Sequence, residues 1–161
     1  MAEVMWNGEK YENSGALSNV IQYYGYGDSP ATTWDEWASY GLNQGNLDVA
    51  MKTMLKTKKQ YNLSKGVQLH QIHIHVSAEE LRSTFGRCTV TSENTVMNYV
   101  GAYFLHYGLQ SICFKYRSKK GIFLRFIVNS VSLQGTQITN IKPFVNELTM
   151  LLEQRLNPLN K

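Results

Sequence analysis

Apolar positions recur along the chain with two periods, and the changes between them set out an order of elements. Leu17, Val20, Ile21 and Tyr24 share one face at helical spacing, with Ser14 as the candidate cap and Gly25 and Gly27 as the stop. The stretch GYGDSPATTW reads as a loop, because two glycines and a proline stand among small polar residues. Trp34 to Tyr40 predicts a short helix capped by Thr32 or Thr33. From Asn46 to Tyr61, Leu47, Ala50, Met51, Met54 and Leu55 mark an amphipathic helix. Its lysines, Lys52, Lys56, Lys58 and Lys59, fall mostly on other faces or at the C-terminal end.

Between Val67 and Val76 the period falls to two, with apolar residues at 67, 69, 72, 74 and 76. The slip in phase near His70 predicts a strand with a bulge or an offset start. Glu79 to Phe85 predicts a short helix and Ser92 to Tyr107 a longer one. The longer helix has a capping box in TSENT, an apolar stripe of Val96, Tyr99, Val100, Tyr103 and Phe104, and Gly108 as its stop. Gln110 to Tyr116 and Ile122 to Leu133 predict a hairpin joined across RSKKG, and Pro143 opens a last helix running to about Leu156. The order implies an α+β domain, an antiparallel sheet with helices packed on one face, formed as a single unit over residues 1–161.

Composition narrows the class. A hydrophobic share of 43% against 17% charged residues is that of a chain able to bury a core, not of a disordered one. Cys88 and Cys113 are far apart, so neither a disulfide framework nor a thiolate zinc site is implied; a reducing cytoplasm fits, with Cys113 expected in the core. The first residues, MAEVMWNGEKYENSG, have no basic segment leading into an apolar one. No window approaches the run of about eighteen apolar residues a membrane span needs, so neither secretion nor membrane insertion is expected.

The net charge of +4 favours anionic partners, and its distribution sharpens that expectation. Lys115, Arg117, Lys119, Lys120 and Arg125 cluster on the predicted hairpin, where strand alternation puts Lys115, Arg117 and Lys119 on one side. One reading is a solvated hairpin tip. The other is a ridge contacting phosphates, with Tyr116 and Phe123 available to stack on unpaired bases.

Gly121 to Ser132 reads GIFLRFIVNSVS. It resembles a strand of the relaxases of mobilisation modules, which has the form His-hydrophobe-His-Asn-His followed by apolar residues and Asn-Ser-Val-Ser. Aligned without a gap on Asn129, Ser130, Val131 and Ser132, the family's three metal-binding histidines fall on Gly121, Phe123 and Arg125. A preceding His-x-Asp falls on Tyr116 and Ser118. Upstream, HIHVSAEEL from His73 to Leu81, and a helix ending in YGL before the hairpin, also resemble the family's order. SGALSNVIQY places the family's nucleophile on Tyr23, with Tyr24 one residue away. The resemblance spans about Ser14 to Gly135.

The resemblance implies a relaxase-like, HUH-nickase-like fold and a DNA-binding protein of a mobile genetic element such as a plasmid, at work in conjugation or mobilisation in the cytoplasm. Relaxases attack a phosphodiester with a tyrosine hydroxyl while a histidine-bound cation polarises the phosphoryl oxygen. With glycine, phenylalanine and arginine at the ligand positions, the implied protein is a pseudoenzyme with no metal and no cofactor, and Tyr23 is a vestigial nucleophile. Arg125 carries a permanent charge that can grip a phosphate but cannot coordinate a cation. Expected partners are single-stranded or transfer-origin DNA, contacted by Lys115, Tyr116, Arg117, Lys119, Lys120, Phe123 and Arg125, and an intact relaxase or another transfer protein.

Two alternatives stay open. His73-Ile74-His75 is itself similar to the His-hydrophobe-His of the wider nickase superfamily, which includes rolling-circle replication initiators, because imidazoles at i and i+2 on a strand share a face. Joined with Tyr23, or with Tyr99 and Tyr103 on the helix that follows, they would form an active, divalent-metal-dependent nickase. Against this, histidines on a half-exposed strand and tyrosines on a helix's apolar stripe are ordinary packing. The second alternative is a protein-interaction module without DNA affinity.

Overall fold

The computed structural model describes residues 2–6, 11–25, 36–42 and 45–156. Five strands and five helices follow in the order β1 (Glu3–Trp6), α1 (Ala16–Gly25), β2 (Glu36–Tyr40), α2 (Leu47–Gln60), β3 (Leu69–Ser77), α3 (Ala78–Phe85), α4 (Val90–His106), β4 (Ser111–Ser118), β5 (Gly121–Asn129) and α5 (Lys142–Leu156). The strands form one sheet in the order β1-β3-β5-β4-β2, and every pairing is antiparallel. The α+β class with an antiparallel sheet is therefore as expected.

The helices, expected on one face, divide between two. Alternation sends Ile72, Ile74 and Val76 of β3 to one side, together with Cys113 of β4 and Ile122, Leu124, Phe126 and Val128 of β5, and α3, α4 and α5 cover them. Leu69, Ile112, Phe114 and Ile127 point the other way and are buried beneath α1 and α2. This also explains the slip in phase near His70. The ladder from Leu69↔Asn129 to Ser77↔Gly121 runs without a bulge. The apolar positions change phase because β3 is buried on both faces from Leu69 to Ile72, with Leu69 turned to the second face, and on the first face alone from His73 on.

Local chemistry fixes the ends of the elements. Asn46 caps α2 by accepting from the amides of Asp48 and Val49. Ser77 and Glu80 form a capping box at α3, and Thr89 and Ser92 form the one at α4, just upstream of the expected TSENT. Before α1 it is the Asn13 side chain, not Ser14, that accepts from Gly15 N at 2.8 Å. The expected helix from Trp34 to Tyr40 is instead strand β2 over Glu36–Tyr40, because pairing with β4 from Glu36↔Lys115 to Tyr40↔Ser111 supplies partners that a short isolated helix lacks. Thr32, Thr33, Trp34, Gly27 and most of the GYGDSPATTW loop lie outside the described residues. Strand β1 was not anticipated, and β5 ends at Asn129 rather than Leu133, leaving Val131 in a single bridge to Gln137.

A buried polar knot joins α2 to the far end of the sheet. Lys58, only 1% exposed, donates to Gln68 O at 2.6 Å, to Ser130 Oγ at 2.9 Å and to Asn129 Oδ1. Asn129 in turn donates to Met54 O and Gln110 Oε1, each at 3.1 Å. Buried without a carboxylate among these contacts, Lys58 has its pKa pulled down to about 7. Asn129 and Ser130 belong to the stretch that most resembles a relaxase strand, and here their visible work is structural.

Candidate nucleic-acid interface

The second face of the sheet is covered only in part, and its open end is organised as two rows crossing four strands. The outer row is Tyr116, Phe123, His75 and Glu3, and the next is Phe114, Arg125, His73 and Met5, each residue directly opposite its neighbour in register. Phe114 is closed off beneath α1 and α2, but Phe123 is 37% exposed and Met5 54%. A solvent-facing phenylalanine gives up part of the roughly 1.5–3 kcal/mol its burial would contribute, so the fold does not account for its placement.

Aromatic rings line the outer row. Phe123 stacks on His75 with ring centres 4.4 Å apart and planes 22° from parallel, and its centre is 6.0 Å from that of Tyr116. Behind this ledge the Arg125 guanidinium lies 4.1 Å from the Tyr24 ring centre and donates to Gln71 Oε1 at 2.7 Å. Burial lowers the Arg125 pKa, opposed by the nearby Tyr24, Tyr11 and Tyr23 hydroxyls. Tyr23 and Tyr24 touch edge to face, 4.8 Å between centres. Helix α1 thus brings Tyr23 to the same side of the sheet as His73, His75 and Arg125.

Glu3, Met5, His73, His75, Phe123 and Arg125 surround a cavity of about 140 Å³. Burial, and then the charge of Arg125, push the His73 pKa down to about 4, so this ring is neutral at ordinary pH. Among the described residues Nε2 of His73 and Nε2 of His75 have no hydrogen-bond partner, although both atoms are buried.

The basic residues of the hairpin do not form one ridge. Lys115, expected to contact phosphates, is fully buried on the opposite face, where it pairs with Glu93 at 3.1 Å and with Glu36 and donates to Asn94 at 3.0 Å. Lys115 is drawn to that face because α4 carries Glu93 over it. Arg117, expected beside Lys115 in the same role, grips both carboxylate oxygens of Glu93, with Nη2 2.6 Å from Oε1 and Nε 2.8 Å from Oε2. Burial acts to raise the Glu93 pKa, but the bonds from Arg117 and Lys115 outweigh it and hold the carboxyl below its usual range. Lys119 and Lys120 are exposed at the turn, beside the Tyr116 and Phe123 row.

Of the three positions aligned with relaxase ligands, Gly121 is closed to any side chain. At its φ of +133° an added Cβ would come within 2.1 Å of Val76 O. Phe123 and Arg125 offer no metal donor, and among the described residues no group of three His, Cys, Asp or Glu is placed to hold a metal ion. A relaxase cation does not fit these positions.

Tyr99 and Tyr103 cannot join His73 and His75, because α4 lies across the sheet from the imidazoles. Tyr103 donates to Phe144 O at 3.1 Å, and Arg155 lies 4.8 Å from the Tyr99 ring centre. The site also contains residues that no sequence motif singled out, Glu3 and Met5 from β1 and Gln71, and it uses Tyr24, named in the sequence only as the alternative to Tyr23, as the support of Arg125. Only the apolar run Val4-Met5-Trp6 hinted at β1, and three residues are too few to stand as a strand signal. Among the described residues no helix is long and apolar enough to cross a membrane. The chain matches no protein-family model, no curated protein and no solved structure.

Proposed function

We propose that the chain is a relaxase-like, single-stranded DNA-binding protein that does not nick its substrate, acting in the cytoplasm beside an intact relaxase or as a regulator of transfer of a mobile element. The observation that carries the binding is the ledge of Tyr116, Phe123 and His75 across three adjacent strands, with Arg125 behind it and Lys119 and Lys120 exposed at the turn of the same hairpin. Rings on a rigid sheet stack on unpaired bases, at roughly 1–3 kcal/mol per base, while cations alongside hold the backbone. The mobile-element setting rests on the sequence resemblance alone.

Fluorescence anisotropy with labelled single strands and with duplex of the same sequence tests the reading. Single strands should bind more tightly, with affinity falling as salt rises. Equal indifference to both at low salt would leave the protein-interaction module in its place.

One arrangement favours a second reading, an active nickase: Tyr23 on α1 faces the same side as the unpartnered Nε2 atoms of His73 and His75. The charge of Arg125 next to His73 works against a cation there and for a phosphate. Binding without cleavage is the better supported of the two.

A further inference from the structure

Two buried imidazole nitrogens without partners are a cost the fold sustains beside the exposed Met5 and Phe123 of its second face. An unmet buried polar atom destabilises a protein, and most such atoms find a partner. His73 and His75 keep theirs unmet side by side on one strand, and both line the cavity between β1, β3 and β5. The cavity is bounded by Phe123, already stacked on His75, and by Met5, which is over half exposed. Methionine is unbranched and easily moved, so Met5, opposite His73 in register, is a wall of the cavity that can give way.

We propose that this cavity takes one unpaired nucleobase, which packs against the exposed edge of Phe123, displaces Met5 and hydrogen-bonds by its edge to Nε2 of His73 and Nε2 of His75, so that binding depends on base identity at that position. The proposal rests on the reading that the open end of the sheet binds single-stranded DNA. The chemistry suits a base better than a second phosphate. Arg125 already supplies the charge that a phosphate needs, whereas a neutral imidazole offers one donor or acceptor per nitrogen according to its tautomer, which is what recognition of a base edge requires. Glu3, opposite His75 in register, adds a carboxylate at the rim that repels a phosphate and can accept from an exocyclic amine.

The test compares the four single-stranded homopolymers, and a matching abasic strand, by anisotropy at fixed salt. It also follows the imidazole nitrogens of the unaltered protein by long-range proton–nitrogen correlation spectra. The expected result is a preference of about tenfold for one base over the weakest. That preference should be flattened in the His73→Leu, His75→Leu double variant while the salt slope is unchanged. The Nε2 signals of both histidines should shift with the base-bearing strand and stay in place with the abasic one. Equal affinity for all four homopolymers, or imidazole shifts of the same size with the abasic strand, would overturn the base pocket and leave DNA binding intact. The same holds if zinc alone, at stoichiometric concentration, moves both imidazoles and blocks the preference, since the histidines would then serve a cation. Absence of binding to every strand would instead sink the DNA-binding reading itself. The spectra need no substitution, so the test stands even if the leucine pair fails to fold.

Discussion

The Arg125 guanidinium carbon stands 4.1 Å from the centre of the Tyr24 ring, and through this contact α1 steadies the cation on the open rows of the sheet. A cation over an aromatic face gains roughly 0.5–2 kcal/mol, and this contact together with the bond to Gln71 fixes the direction of the planar group. Arg125→Lys keeps the charge and removes the fork, so single-strand affinity should fall several-fold. Arg125→Met should lower it by about tenfold. If both variants bind as the parent does in anisotropy titrations, Arg125 supports α1 and nothing more.

Hairpin lysines that look equivalent in sequence should separate in the laboratory. Replacing exposed Lys119 and Lys120 with alanine should leave the melting temperature nearly unchanged and reduce the slope of log affinity against log salt, by about 0.7 for each single-strand phosphate that is no longer neutralised. Lys115→Ala should do the reverse. It removes a partner of buried Glu93, and breaking a buried pair in this way typically costs about 3 kcal/mol of stability. Calorimetry and salt titrations on the same preparations decide it, and equal effects on binding from both changes would restore a single basic ridge.

The contrast between these lysines shows where sequence patterns carry information. The long helices α2, α4 and α5 and the β4–β5 hairpin were legible because their periods run for several turns or alternations and their stops, such as Gly108, need only local chemistry. Strand β2 was misread as a helix because five residues are too few to fix a period, and its partner β4 is about seventy residues away. The clustering of basic residues was real along the chain. Their separation onto two faces depended on where α4 would place Glu93, which no spacing on the hairpin reveals. Likewise Asn129 and Ser130, on which the resemblance was aligned, have a buried lysine as their partner, which no spacing along β5 reveals.

Two groups make stability depend on pH in the same direction. His73 titrates near pH 4 in the folded chain against an ordinary 6.5, so the unfolded chain takes up its proton first, and the stability present above pH 6.5 is lost as pH falls towards 4. Lys58 titrates near 7 against 10.5, so its full penalty applies below pH 7 and is relieved as pH rises from 7 to 10.5. Each contributes a slope of up to about 1.4 kcal/mol per pH unit within its own window. Urea denaturation across pH should show both rises. His73→Gln should flatten the acid one and Lys58→Met the alkaline one, and a slope that persists in either variant would assign it to other groups.

Incubation with single-stranded transfer-origin oligonucleotides and manganese should yield neither cleavage nor a covalent protein–DNA adduct. Cleavage by a tyrosine needs charge stabilisation at the phosphoryl oxygen, and the positions that the sequence resemblance aligns with relaxase ligands are a glycine with no room for a Cβ, an exposed phenylalanine and an arginine. Arg125 can neutralise a bound phosphate, but its charge also disfavours a cation between the two imidazoles. Losing a catalytic metal costs several kcal/mol of transition-state stabilisation, and every ~1.4 kcal/mol is tenfold in rate, so turnover should lie orders of magnitude below that of a working nickase. Denaturing gels with a radiolabelled strand read the outcome directly. A ready adduct that disappears in Tyr23→Phe would overturn the claim of inactivity and make His73 and His75 metal ligands. One that disappears only in Tyr99→Phe or Tyr103→Phe would require α4 to leave its place across the sheet, and the fold described above would then be wrong.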